Sequence, residues 1–437
     1  MIDYEKRYEE RKLRVETAVA NKEPDRVPNV TMMGTYPIFR AGMTMAEMMV
    51  DHEKACQAML KFYEDHDKLD TGMVSNFTPA AKVLELFDSK TARWPGDPKG
   101  LDVNNTYQFI EFPTLEDGEY DEFFDHTAEF WLTKHLPRTL GLFEQMANVD
   151  YMEMILALDG AQNFFTSPPV VEACKKIIAA AEEKGRMMQT IGKYEQKLRA
   201  LGFYSIAGGG SATAFDMLGD TLRGTFGMMP DLIDERENVK KALDLFVKYH
   251  IKGSLDFCRM TGSKYAWVML HKGFDNFISD KDYGELYWPY LRQWILALID
   301  HDITPVIYTE GAYNTRLEYM KDVPKNKVIY HFEKVDLKKA KQELGDIACL
   351  MGGFPVYTVR YGTPEQIDEE VKKTLDIMAP GGGYLFTPAI LWKMRRSKTW
   401  KRCWRLSGNT GNIKKRLCCH LTPPCGSVSA AKYIVSP

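Results

Sequence analysis

The feature that most constrains this chain is a repeated alternation. From Arg26 to Ala389, short β-branched or apolar runs are separated by longer stretches with helical periodicity. The runs read VPNVTMM (27–33), LDTGMV (69–74), FYSIAG (203–208), YAWVML (265–270), TPVIY (304–308), VIYHF (328–332), ACLMG (348–352) and GYLFT (383–387). A half-solvated strand alternates polar with apolar residues; these do not, so each is expected to be buried on both faces, as in a parallel sheet. Between them, AEMMVDHEKACQAMLKFYEDH (46–66) and EQIDEEVKKTLDIMA (365–379) carry apolar residues at a period of about 3.6. Eight strands with intervening helices predict an α/β fold, a closed (β/α)8 TIM barrel rather than an open sheet. The long gap between the second and third strands calls for a helical insertion or an added hairpin. One barrel domain is therefore expected over residues 1–390.

Composition removes several functional classes. With 45% hydrophobic and 27% charged residues and a net charge of −3, the chain has no basic footprint for nucleic acid. No run approaches the ~20 apolar residues of a membrane span, and the charged segment Met1–Val19 has no apolar signal core. A cytoplasmic location without a membrane partner is the expectation. The separated cysteines Cys56, Cys174, Cys258 and Cys349 suit a reducing compartment.

Function is expected where the strands end. Six of them finish in clusters of small, polar or charged residues: MMGTY, IAGGGSAT, MLHKGFD, YTEGAY, YHFEK and MGGFP. In a barrel these ends converge on one mouth. Any one cluster alone reads equally well as a plain turn, but six on successive strands point to a shared site.

Several of these segments resemble the uroporphyrinogen decarboxylase superfamily. They are KEPDRVP (22–28), AGGGSATAFDMLG (207–219), HKGFDNFIS (271–279) with YWPYL (287–291), MGGFPVYTVRYGTPEQIDEEVKK (351–373) and APGGGYLF (379–386). The resemblance runs from about Glu23 to Thr387 and implies the barrel fold. It also implies backbone contacts to a bound cofactor at Gly208, Gly209, Gly352 and Gly353. Decarboxylases of this family place several arginines after the first strand to hold the substrate's carboxylates. Here that stretch, MMGTYPIFRAGMTMAEMM (32–49), has one arginine, Arg40, and six methionines. A polycarboxylate substrate needs several cations, so decarboxylation is not expected. The methionines have an ordinary alternative as core on one helix face.

The corrinoid-dependent methyltransferase branch fits better. Its thiol-methylating members hold zinc with His-x-Cys after the fifth strand and a cysteine after the eighth. This chain has Tyr308 and Glu310 at the first place and FTPAI (386–390) at the second, so the thiol-type site is absent. Carboxylate and imidazole ligands make a harder zinc suited to polarising an oxygen. The resemblance to O-demethylase members implies Glu310, His331 and His271 as metal ligands, with Glu310, Asp275 and Tyr308 in the chemistry. Asp275 has the alternative of an orienting carboxylate, and each lone histidine that of a hydrogen-bonded structural residue. The expected activity is methyl transfer from a methoxylated aromatic small molecule to the cobalamin of a separate corrinoid protein, with zinc as Lewis acid. Alternatives are a methylcobalamin-dependent enzyme with a non-thiol acceptor and a tetrapyrrole-binding module without catalysis. A homodimer is compatible with the sequence.

After Leu391 the character changes. WKMRRSKTWKRCWR (392–405) is strongly basic, and the remainder, with Cys418, Cys419, His420 and Cys425, has no periodicity and no CxxC spacing. A zinc knuckle or a basic arm is weakly supported. Family members end in an acidic helix, and residues 390–411 approach such a helix when read in a shifted frame. Residues 391–437 are thus expected to be an out-of-frame, poorly ordered tail, leaving the barrel without its last helix.

Overall fold

Eight parallel strand segments close on themselves. The computed structural model describes residues 2–30, 34–74, 78–98 and 100–388; the expected tail lies outside them. Six strands form a continuous parallel sheet in chain order: Gly209–Ala212, Tyr265–Leu270, Thr304–Ala312, Ile329–Lys334, Cys349–Gly352 and Tyr384–Leu385. The first two segments complete the ring. Val30 N–H donates to Phe386 O and Phe386 N–H to Pro28 O, while Asp70 N–H donates to Asn29 O. On the other side, Gly72 N–H donates to Tyr204 O and Tyr204 N–H to Asp70 O. The chain is an α/β barrel, and among the described residues each of its eight barrel strands has a neighbour on both sides.

Period-two alternation divides each strand between two cores. Tyr265, Trp267, Val306, Tyr308, Ile329, Cys349, Met351 and Leu385 point into the barrel and meet Val15 and Ala18 of the first helix, Tyr4–Val19, which plugs the interior. Their neighbours Ala266, Val268, Ile307, Tyr330, Phe332, Leu350 and Tyr384 face the outer helices. The plug is fastened by charge. Asp70, fully buried, accepts from Arg14 at 2.7 Å, from Arg26 through both oxygens at 2.7 Å, and from Asn29 N–H at 2.7 Å. One carboxylate thus ties the first helix to the first and second strands.

Two expectations need correction. The glycine run after FYSIAG is not a turn: Gly209–Ala212 is strand, paired with Ala266–Met269. A Cβ on Gly208 would lie 2.0 Å from Tyr265 O, and one on Gly209 would meet the Phe257 ring at 2.7 Å. Glycine is there because strand and helix approach too closely for a side chain. The stretch 46–66 is two helices, Met45–Met48 and His52–Glu64, because Asp51 caps the second by accepting from Lys54 N–H. Met43, Met45, Met48 and Met49 are core residues, at most 3% exposed. Arg40 is paired with Asp65 at 3.1 Å.

The insertion between the second and third strands contains both a hairpin, Ala92–Arg93 with Gln108–Phe109, and helices that include the long Pro168–Ala200. Among the described residues no helix is long and apolar enough to cross a membrane.

Removing a partner from a buried ion pair typically costs about 3–5 kcal/mol. Asp70→Ala is therefore expected to lower the unfolding free energy by about 3 kcal/mol in urea denaturation. A loss below about 1 kcal/mol, the size of a surface pair, would show that the clamp is idle.

Candidate active site at the barrel mouth

Sheet register decides which side chains share the mouth. Met269, Tyr308, His331, Met351 and Leu385 stand in one paired row across strands four to eight. Two residues further along come His271, just past the fourth strand, and Glu310 and Glu333, where strands five and six shift register and Gly311 N–H donates to Glu333 at 2.6 Å. The helix after the third strand, Ala214–Met217, continues as a π-helical turn, Leu218–Leu222, and brings Asp216 and Asp220 to the same place.

Asp216 is the anchor. Fully buried, it accepts from the Thr213 hydroxyl, from the Tyr287 hydroxyl at 2.7 Å, and from the backbone N–H groups of His271 and Lys272 at 3.2 and 2.9 Å. It therefore sets the turn that carries both side chains. Asp220 then takes one group on each oxygen: His271 Nδ1 at 2.5 Å and Lys272 Nζ at 2.7 Å. Lys272, only 6% exposed, also lies 3.3 Å from Glu111 of the insertion, whose carboxylate accepts from Thr225 N–H and Oγ1. The insertion is thereby tied to the mouth through charge.

These contacts move the proton equilibria. Burial opposes charge on His271, but the Asp220 hydrogen bond and the charges of Asp216, Asp220 and Glu310 lift it from 6.5 to about 9. Its ring is a cation at neutral pH, and Nε2 has no partner among the described residues. Burial raises Asp216 and Glu310. For Glu310 the His271 charge pulls the other way, while Glu333, Asp216 and Asp220 push further up. Asp220 is lowered, because His271 and Lys272 outweigh its burial. The cluster is a set of crowded carboxylates held together by one imidazolium and one ammonium.

The sequence-derived candidates divide between mouth and scaffold. Glu310 and His271 face each other electrostatically in the mouth. Tyr308 lies one layer down, its ring 4.7 Å from His331. His331 is sunk in the barrel between Tyr308 and Trp267, with Nδ1 unpartnered and burial holding the ring neutral, near 3. Asp275 is occupied elsewhere, accepting from Asn314 N–H, Thr315 N–H and the Thr315 hydroxyl, which joins the loops after strands four and five. Gly352 and Gly353 have φ of +75° and +71°, and a Cβ on either would strike Phe332 O or Leu337. With Gly208 and Gly209, all four glycines have packing reasons to be there.

Glu310, His331 and His271 are not gathered as a ligand set. Among the described residues no three His, Cys, Asp or Glu side chains come together to hold a metal ion. His271 instead turns to Asp220, and His331 lies in the layer below. The zinc expectation does not fit these donors as they stand. Sequence reasoning missed Asp216, Asp220, Lys272 and Glu333. Their signal was present as two aspartates four apart in AFDMLGD and a lysine beside His271.

A model of the uroporphyrinogen decarboxylase (URO-D) family matches residues 159–390, and the chain belongs to that family. Uroporphyrinogen decarboxylase of Chlorobaculum parvum is 33% identical over 109 residues, covering 25% of this chain and 30% of that protein. The methylcobamide:CoM methyltransferase MtbA of Methanosarcina acetivorans is 28% identical over 157 residues, covering 32% and 46%. The chain thus matches less than half the length of these curated relatives. A methyltransferase structure from Methanosarcina mazei superposes with a TM-score of 0.55 at 15% identity, covering 93% of this chain and 99% of that one. This likeness supports the fold.

His271 has a folded pKa above its unfolded one. Its charge therefore stabilises the fold fully below pH 6.5, and that contribution is lost as pH rises through about 9. An NMR titration of the ring should give a midpoint near 9, falling by about one unit or more in Asp220→Asn. An unchanged midpoint in the variant would remove Asp220 as the cause.

Proposed function

We propose that this protein moves a methyl group from a methoxylated aromatic compound to the cobalt of a corrinoid presented by a separate protein. The observation that carries the reading is the partnerless Nε2 of a charged His271, held on Asp220 within a ring of carboxylates. Such a mouth suits a neutral ether and repels a polycarboxylate. The family likeness to a protein named for methylcobamide supports the corrinoid partner.

An aryl ether parts from its methyl group slowly unless its oxygen is relieved of charge as the bond breaks. His271 supplies that relief: Nε2–H donates toward the ether oxygen, and the proton passes to it as the C–O electron pair leaves carbon. A phenol is released, and His271 is left neutral on Asp220. The corrinoid, as second substrate, provides the nucleophile. Asp216 fixes the His271 backbone, and Lys272 keeps Asp220 ionised. The Glu310 charge favours the imidazolium before transfer. No step is assigned to a metal ion, because the candidate ligands are not gathered.

The test mixes the protein with a reduced corrinoid protein and methoxybenzenes and follows the corrinoid spectrum. Turnover is expected for the wild type, with His271→Gln slower by about 10²-fold or more. Binding of ethers without turnover on any of them would favour a non-catalytic binding module.

A further inference from the structure

Beside the mouth, on the far side of the helix that carries Asp216 and Asp220, lies a cavity of about 300 Å³. That volume is at the lower end for ligand pockets and suits a single substituted ring. Its walls come from the insertion and from the helix Arg236–Thr261: Phe123, Phe130, Trp131 and Phe246, closed by Met217 and Leu222. Phe123 and Phe130 are largely buried, while Trp131 is 51% exposed at the rim.

Two further observations distinguish this cavity from a packing defect. Two π-helical turns contribute to its lining, Trp131–His135 and Leu218–Leu222. Such turns are rare and concentrate at functional sites. The second observation is one directed polar group. His135 lines the cavity, and its Nδ1 lies 3.1 Å from the Thr114 hydroxyl. That hydroxyl has one proton, and it goes to Thr221 O at 2.8 Å. His135 Nδ1 must therefore be the donor in its own contact, which leaves the lone pair of the neutral ring on Nε2. Burial, then the charge of Arg138, keep the ring neutral. Nε2 has no partner among the described residues.

We infer that this cavity is a second binding site, for a small phenol whose ring lies among the aromatic walls and whose hydroxyl donates to His135 Nε2. The site stands apart from the methyl-transfer mouth and does not require that reaction. It shares with the mouth the segment 214–222, which presents Met217, Thr221 and Leu222 to the cavity and Asp216 and Asp220 to the mouth.

The test uses 4-fluorophenol and 4-fluorotoluene, matched in shape, with binding followed by fluorine NMR. One 4-fluorophenol per chain is expected, bound about fivefold more tightly than 4-fluorotoluene, the worth of one hydrogen bond. His135→Phe should erase that preference, and Thr127→Trp, at the exposed edge of the cavity, should weaken both ligands at least tenfold. Thermal unfolding of each variant near the wild-type temperature confirms that it is folded. Equal affinities in the wild type, or 4-fluorophenol binding untouched by Thr127→Trp, would overturn the assignment.

Discussion

Closure of the barrel at its first strand is the constraint on which the site depends. Residues 28–30 hydrogen-bond to strand eight on one side and to residue 70 on the other. Without that join the strands would form an open twisted sheet, and their ends would spread over an edge rather than meet at a mouth. A three-residue segment contributes few hydrogen bonds of its own. The Tyr4–Val19 plug and the Asp70 clamp therefore hold it, at the opposite end of the barrel from the chemistry.

The mouth inherits an electrostatic problem from this geometry. Register alone places Glu310 and Glu333 on adjacent strands, and the π-helical turn adds Asp216 and Asp220. Each unpaired buried charge costs several kcal/mol, so a cluster like this persists only with matched cations and hydrogen bonds. His271 and Lys272 provide the charge, and Thr213, Tyr287 and the 271–272 backbone provide the hydrogen bonds. The arrangement that solves the folding problem also poises a proton on His271.

The strands were legible because β-branched or apolar runs of five to seven residues have few alternatives once eight recur at helix-long spacing. The third was misjudged beyond Gly208, since glycine runs ordinarily mean turns, and only the Tyr265 carbonyl and the Phe257 ring reveal why strand backbone is glycine here. For the same reason the break at Asp51 was hidden inside a good helical period. At the mouth, Glu310 and His271 were readable as polar residues just past apolar runs. Asp220 and Lys272 were not, because their roles come from a helix face meeting a neighbouring loop. Asp275 looked like a site residue for its position, yet its oxygens are used by Asn314 and Thr315. His331 illustrates the limit of counting: Glu310 is offset from it by one layer, a distinction that pairing register makes and sequence spacing does not.

The central claim is that His271 delivers a proton to the departing oxygen. The most direct measurement is the rate of methyl transfer across methoxybenzenes whose phenol products span a wide range of acidity, for the wild type and His271→Gln. Protonation by His271 predicts a shallow dependence on phenol acidity in the wild type and a steep one in the variant. Equal slopes in the two proteins would contradict it.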